Sequence, residues 1–225
     1  MSKKQIKKQL VYYGRKLVEK NLVGGAGGNI SVRWRNIAYL SPSGYALDEL
    51  EVNQLSAVDI DSGNTVGPGI NKPTSEVLMH IACYQVREDI RAVVHTHSPW
   101  ASGIASSGIS FKPMFPEIVA DLDSIGTLEY ILPTTQKLAD AAAEKIKDHN
   151  ALLMANHGVV TVGVNLKEAY YRSVVIEEAA KSLVAASVVG RPRFLLDEEI
   201  EQIKKLPAVK HRKEVVQERK KIKKC

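Results

Sequence analysis

The chain has 225 residues, 44% of them hydrophobic and 25% charged, and a formal net charge of +6. That is the make-up of one ordinary globular domain, or one with a short extension. No apolar run is long enough to span a bilayer, and the two cysteines, Cys83 and Cys225, exclude a disulfide framework.

From the first residues onward, Lys4 to Lys20 set Ile6, Leu10, Tyr13 and Leu17 at helical spacing, with Val11 and Val18 beside them. The glycine-rich stretch Gly24-Gly25-Ala26-Gly27-Gly28 follows. Between Asn29 and Asp61 the texture turns to short strands: Ile30 to Trp34, Ile37 to Leu40 and Val58 to Ile60. The turns Ser41-Pro42-Ser43-Gly44 and Asp61-Ser62-Gly63-Asn64 punctuate them. A helix is expected from Thr74 to Val86, with Leu78, Ile81, Ala82 and Val86 on its apolar side and Cys83 as a small core residue. Ile90 to His97 reads as a strand. An irregular region then runs to Pro133, and Thr134 or Thr135 caps a helix to about Lys147. Ala151 to Met154 and Val159 to Val164 are buried strands, Leu166 to Val188 a long helix and Asp197 to Lys205 a short one. Short connections between strands favour antiparallel pairing. The pattern predicts one α/β domain over 1–205 with a mainly antiparallel sheet, and a basic tail over 206–225, helical or frayed, that could lie against a neighbouring subunit.

Much of the positive charge sits at the ends, in Lys3, Lys4, Lys7 and Lys8 and again from Lys204 to Lys224. No zinc-knuckle spacing or aromatic–basic stripe accompanies it, so neither a nucleic-acid nor a membrane partner is expected. A positive field does help to attract an anionic substrate. The start, Met1 to Gln5, lacks the apolar stretch of a secretory signal, and a cytoplasmic location is expected.

There are six histidines. Two are written His95-Thr96-His97 after Ala92-Val93-Val94, and residues i and i+2 of a strand share a face, so both imidazoles can reach one ion. Asn156-His157-Gly158, between two apolar strands, is the candidate for a third ligand. Three neutral imidazoles with an open position describe a catalytic zinc site; the plainer alternative is that His95 and His97 are ordinary sheet residues. His80 and His149 read as structural or surface residues, and His211 lies in the tail.

Lys72-Pro73-Thr74-Ser75-Glu76 leads into a helix, where free backbone donors, hydroxyls and the helix dipole suit an anion; simple N-capping is the alternative. Gly27-Gly28-Asn29 and Ser43-Gly44 offer similar donors, or are ordinary turns. Glu76, in the first turn of that helix, is a candidate general base or merely a complement to the dipole.

Together, Gly27-Gly28-Asn29-Ile30-Ser31-Val32-Arg33, Ser41-Pro42-Ser43-Gly44, Lys72-Pro73-Thr74-Ser75-Glu76, His95-Thr96-His97-Ser98-Pro99 and Asn156-His157-Gly158 resemble the class II aldolase and adducin-head family, in its order and close to its spacing. The likeness runs from about Ile6 to Lys205. It implies a three-layer α/β/α fold around a central antiparallel sheet, and a fourfold-symmetric homotetramer with sites at subunit interfaces. It implies one Zn2+ per subunit held by His95, His97 and His157. Gly28, Asn29, Ser43, Gly44, Thr74 and Ser75 then match phosphate-binding positions, and Glu76 the catalytic acid/base. The adducin head lacks the zinc site; the three histidines point to an enzyme. The implied reaction is reversible aldol cleavage of a ketose 1-phosphate, such as L-fuculose 1-phosphate, to dihydroxyacetone phosphate and a small aldehyde such as lactaldehyde.

One departure bears on the reaction. In the fuculose-phosphate members a neighbouring subunit's tyrosine, about twenty residues past the histidine pair, handles the proton on the departing aldehyde oxygen. Here the region reads Phe111-Lys112-Pro113-Met114-Phe115-Pro116-Glu117. Glu117 is the nearest ionisable residue that could substitute, or is simply a surface carboxylate after a proline; Tyr130, Tyr170 and Tyr171 are alternatives across an interface. A glutamate there resembles methylthioribulose-1-phosphate dehydratases, which leaves a dehydratase or aldolase of that substrate as a second reading. Sugar-phosphate 4-epimerases of the family carry aspartate where Glu76 stands.

Overall fold

A computed structural model describes residues 2–67, 71–122 and 124–211. In chain order it has helix α1 (Lys3–Glu19), strands β1 (Asn29–Trp34), β2 (Ile37–Leu40) and β3 (Ser56–Asp59), helix α2 (Val77–Val86), strand β4 (Ala92–Thr96), helices α3 (Pro99–Ser106) and α4 (Pro116–Leu122), strand β5 (Ile125–Leu128), helix α5 (Gln136–Ile146), strands β6 (Ala151–Met154) and β7 (Gly158–Gly163), and helices α6 (Leu166–Val189) and α7 (Asp197–Lys205).

The seven strands form one sheet in the order β3-β2-β1-β4-β7-β6-β5. Every neighbouring pair is antiparallel except β5 with β6. Two-residue alternation sorts the sheet's side chains. Val93, Val160 and Val162 pack under α2 and α5 with Met79, Tyr84, Leu138 and Ile146. Ile30, Val32, Ala92 and Val94 face the other way, onto Ile6, Leu10 and Leu17 of α1 and the start of α6. Leu153 and Val159 meet α3, α4 and the rest of α6 on that same side. The result is the expected α/β/α sandwich around a mainly antiparallel sheet. The same alternation leaves Asn29 and Ser31 of β1 and His95 of β4 facing the α2 layer.

Local signals explain the helix starts. Ser2 and Gln5 form a capping box at α1. Thr135 accepts from the Leu138 amide at α5, and Asn165 from the Glu168 amide at α6.

Three expectations are corrected. The helix expected from Thr74 begins only at Val77, because the Thr74 hydroxyl and carbonyl take the amides of Glu76 and Val77 in a turn. Its apolar side is also different: Leu78 and Val86 are exposed, while Met79 to Tyr84 are all buried between the sheet and α5. The region before Pro133, read as irregular, contains α3, α4 and β5. In the tail, 207–211 is helical, with Val209 buried and its neighbours exposed; the remainder, 212–225, including Cys225, lies outside the described residues. Cys83 is buried in the α2 layer as expected, and burial pushes its thiol up to about 12. Among the described residues no helix is long and apolar enough to cross a membrane.

Candidate metal centre

His95 sits near the end of β4 and His97 just past it; His157 stands one residue before β7, the neighbouring strand. His95 Nδ1–H donates to the Val159 carbonyl at 3.0 Å, which leaves Nε2 as the bare, ligating nitrogen. That nitrogen lies 3.0 Å from His97 Nε2. The His157 ring centroid is 4.8 Å from that of His95 and 5.7 Å from that of His97. One nitrogen from each ring lies within 4.8 Å of the others. A tetrahedral ion with bonds of about 2.0–2.1 Å wants donors roughly 3.3–3.4 Å apart, so the three rings fit one with small adjustments. Burial, followed by repulsion from His95 and His157, pushes His97 down to about 4, so the ring is neutral near pH 7, the form that binds metal. His157 Nδ1 is buried without a hydrogen-bond partner.

Glycines make the close approach possible. A Cβ on Gly158 would lie 2.3 Å from the Thr96 carbonyl oxygen and 3.1–3.2 Å from the His97 and His95 rings. One on Gly27 would lie 3.1 Å from His97 Nδ1. Gly28, at φ +70, lies against Val23 and the His95 carbonyl, where any side chain would collide.

Glu76 completes the cluster. It is the N-cap residue of α2, yet its carboxylate makes no capping bond. Oε2 stands 2.9 Å from His95 Nε2 and Oε1 3.1 Å from His157 Nε2. Burial works to raise this carboxyl, but the adjoining His95 and His157 imidazoles outweigh it and hold the group below the usual carboxylate range. A buried carboxylate needs such partners, and a cation held by the imidazoles would be another. Asn29 Nδ2 also donates to Oε2 at 3.2 Å.

The segments read as phosphate binders come together beside Glu76. The Ser43 amide donates to the Lys72 carbonyl and the Thr74 amide to that of Ser41, while Pro42 and Pro73 form a bridge. The Ser41 hydroxyl accepts from the Ile30 amide at 3.2 Å, joining this pair to β1. Ser43, Gly44 and Ser75 are exposed and Thr74 is buried. Asn29 is buried and its side chain already spans Glu76 and His80, with one N–H of its amide left for a ligand. Glu117 stands exposed in the first turn of α4, outside the network around Glu76. Tyr170 is buried between α1 and α6, whereas Tyr130 and Tyr171 are exposed.

His80, read as structural or surface, is fully buried, and its Nε2–H donates to Asn29 Oδ1 at 2.6 Å. One feature escaped the sequence reading. Buried Glu177, on α6, accepts from the Trp100 and Ala101 amides at 3.3 and 2.9 Å and so fixes the start of α3, just after the histidine pair. His149, bonded to Ser124, is structural as expected.

Comparison with known proteins settles the family. A model of the class II aldolase and adducin N-terminal domain matches residues 8–184. The chain belongs to that family. Among class II aldolase relatives, a 5-deoxy-D-ribulose 1-phosphate aldolase of Bacillus thuringiensis is 35% identical over 88% of this chain and 93% of its own. An L-fuculose phosphate aldolase of Methanocaldococcus jannaschii is 36% identical over 78% and 93%. A solved L-fuculose 1-phosphate aldolase superposes with a TM-score of 0.84 at 34% identity, over 90% of this chain and 96% of that one. Other relatives, at 30% identity, are named 3-oxo-tetronate 4-phosphate decarboxylases. The chain is an enzyme of the class II aldolase family whose histidine cluster could hold a metal ion, and relatives in that family act on phosphorylated sugars.

Proposed function

We propose that this protein is a zinc-dependent aldehyde-lyase that reversibly cleaves a ketose 1-phosphate, of the L-fuculose 1-phosphate or 5-deoxyribulose 1-phosphate kind, to dihydroxyacetone phosphate and a small aldehyde. The observation that carries this reading is the Glu76 carboxylate, 2.9 Å from His95 and 3.1 Å from His157. It puts a proton carrier beside a metal-binding triad. His95, His97 and His157 hold the Zn2+, which when bound acts as a Lewis acid on the substrate's oxygens. Glu76 gives a proton to the carbon left by bond cleavage, and removes it in the condensation direction. Gly28, Asn29, Ser43, Gly44, Thr74 and Ser75 position the phosphate, which brings the reacting carbon to Glu76. Relatives named aldolases and decarboxylases make the same demand, because both reactions leave negative charge beside a carbonyl.

In this reading Glu117 serves the departing aldehyde oxygen from a neighbouring subunit of a homotetramer. Its exposure, and its separation from the Glu76 network within one chain, support that arrangement.

The test is release of dihydroxyacetone phosphate from the two ketose phosphates, followed by a coupled reductase, with chelator and then added zinc. Release that stops with chelator and returns with zinc is expected. No release from zinc-loaded protein rejects the reading. Product analysis with methylthioribulose 1-phosphate and with a 3-oxo acid phosphate then identifies the reaction.

A further inference from the structure

Behind Glu76 a single file of buried polar groups runs into the core. Glu76 Oε2 accepts from Asn29 Nδ2 at 3.2 Å, and Asn29 Oδ1 meets His80 Nε2 at 2.6 Å. His80 Nδ1 meets the Ser31 hydroxyl at 2.7 Å, and that hydroxyl meets the Tyr84 hydroxyl at 2.7 Å. The file is built by two periodicities. Glu76, His80 and Tyr84 recur every four residues from the N-cap of α2 along the helix, and Asn29 and Ser31 every second residue along β1. His80, Ser31 and Tyr84 are wholly enclosed. Burying this many polar groups is unfavourable unless each is paired, and here they pair with one another.

The direction of every hydrogen bond follows from one end. Glu76, as a carboxylate, only accepts, so Asn29 must turn its NH2 toward it and its oxygen away. That oxygen then requires a proton on His80 Nε2. A neutral imidazole protonated at Nε2 has a bare Nδ1, which accepts a hydrogen bond from the Ser31 hydroxyl, and the Ser31 oxygen in turn accepts from Tyr84. Were His80 protonated on Nδ1 instead, Asn29 would lose its reason to keep that amide orientation. A flipped amide would press its oxygen against the carboxylate.

Building on the proposed role of Glu76, we infer that His80 is a positioning residue for the proton-transfer step. Acting through Asn29, it locks the Glu76 carboxylate in the orientation that faces the substrate, with Ser31 and Tyr84 holding the His80 tautomer.

The experiment uses the full-length, zinc-loaded protein. His80→Leu removes the donor, and His80→Gln keeps an N–H close to the Nε2 position. The expected result is a His80→Leu kcat lowered about ten- to hundredfold, with KM within about threefold and zinc content unchanged, and recovery of most of the rate in His80→Gln. A residue that only fills the core would lower the melting temperature and leave kcat in place, and that result overturns the inference. So does a Gln variant no faster than the Leu variant at equal zinc content. If His80→Leu does not fold, Ser31→Ala loosens the tautomer lock more gently and is expected to lower kcat about threefold; an unchanged kcat there overturns it too. Nitrogen-15 NMR of the ring reads the tautomer without any turnover assay. The Nε2-protonated form is required, and the Nδ1-protonated form sinks the inference even if the protein proves to have no aldolase activity. Inactivity of the parent on ketose phosphates would instead count against the proposed function alone.

Discussion

Asn29 and His95 face each other directly across the β1–β4 ladder. The pairing sets a group that bonds Glu76 opposite a proposed metal ligand. A slip of one residue in this register would send both side chains to the other face of the sheet.

Glu76→Gln keeps the shape of the side chain and removes its capacity to carry a proton. The expected outcome is a kcat lower by about 10²–10⁴-fold, with zinc still bound, measured by dihydroxyacetone phosphate release and metal analysis. Turnover within a few-fold of the parent would dismiss Glu76 as the base.

Removing any one imidazole, as in His157→Ala, leaves two ligands. Stoichiometric zinc should be lost on dialysis, and the melting temperature should cease to respond to chelator. In the parent, zinc at a hundredfold excess over its Kd is expected to add about 2.7 kcal/mol of stability.

Gly158→Ala tests the crowding around the rings. Its methyl would lie 2.3 Å from the Thr96 carbonyl oxygen, a contact that backbone must yield to. A loss of about 1–3 kcal/mol in urea unfolding is expected, together with weaker zinc binding. Unaltered stability would show that β4 and β7 can part without harm.

His80 predicts a dependence of stability on pH. Burial, with His95 adding, pushes it down to about 3 from 6.5, so it stays neutral in the folded protein. Below pH 6.5 the unfolded chain takes up a proton that the folded chain refuses, and stability falls as pH drops from 6.5 toward 3. The slope from this one group is at most about 1.4 kcal/mol per pH unit, and above pH 6.5 the group contributes none. Urea titrations of chelator-treated parent and His80→Gln should therefore differ in slope only on the acid side.

Glu177→Leu strips the buried acceptor from the first amides of α3. A loss of about 2 kcal/mol, the upper end for a helix cap, is expected in thermal or urea unfolding. Because α3 starts just beyond His97, zinc affinity should fall as well.

The elements with clean periodicity and local caps were legible in the sequence: α1, α5, α6 and α7 lie within a few residues of where apolar spacing put them. So was the His95–His97 pair, because a two-residue strand repeat needs no tertiary knowledge; His157 was a candidate by its place between two apolar strands and by the family resemblance. What was hidden depended on distant partners. Helices α3 and α4 start at Pro99 and Pro116, inside the stretch read as irregular, although proline suits a first helical position. The acceptor for the first amides of α3 comes from Glu177, far along the chain, so no local capping side chain announces the helix. On α2 the four-residue repeat of Glu76, His80 and Tyr84 was present in the letters. Apolar residues on every side of that helix concealed which face met the sheet.

The order of the strands also bears on how the molecule assembles. His95 and His97 belong to β4 and its end, while His157 waits at the head of β7, and the two strands meet only when the sheet closes at its centre. A partly folded chain with β7 still detached holds two imidazoles and grips zinc weakly. Metal uptake during refolding should therefore lag behind the formation of helices, and an absorbing ion such as cobalt would time the closure of the sheet.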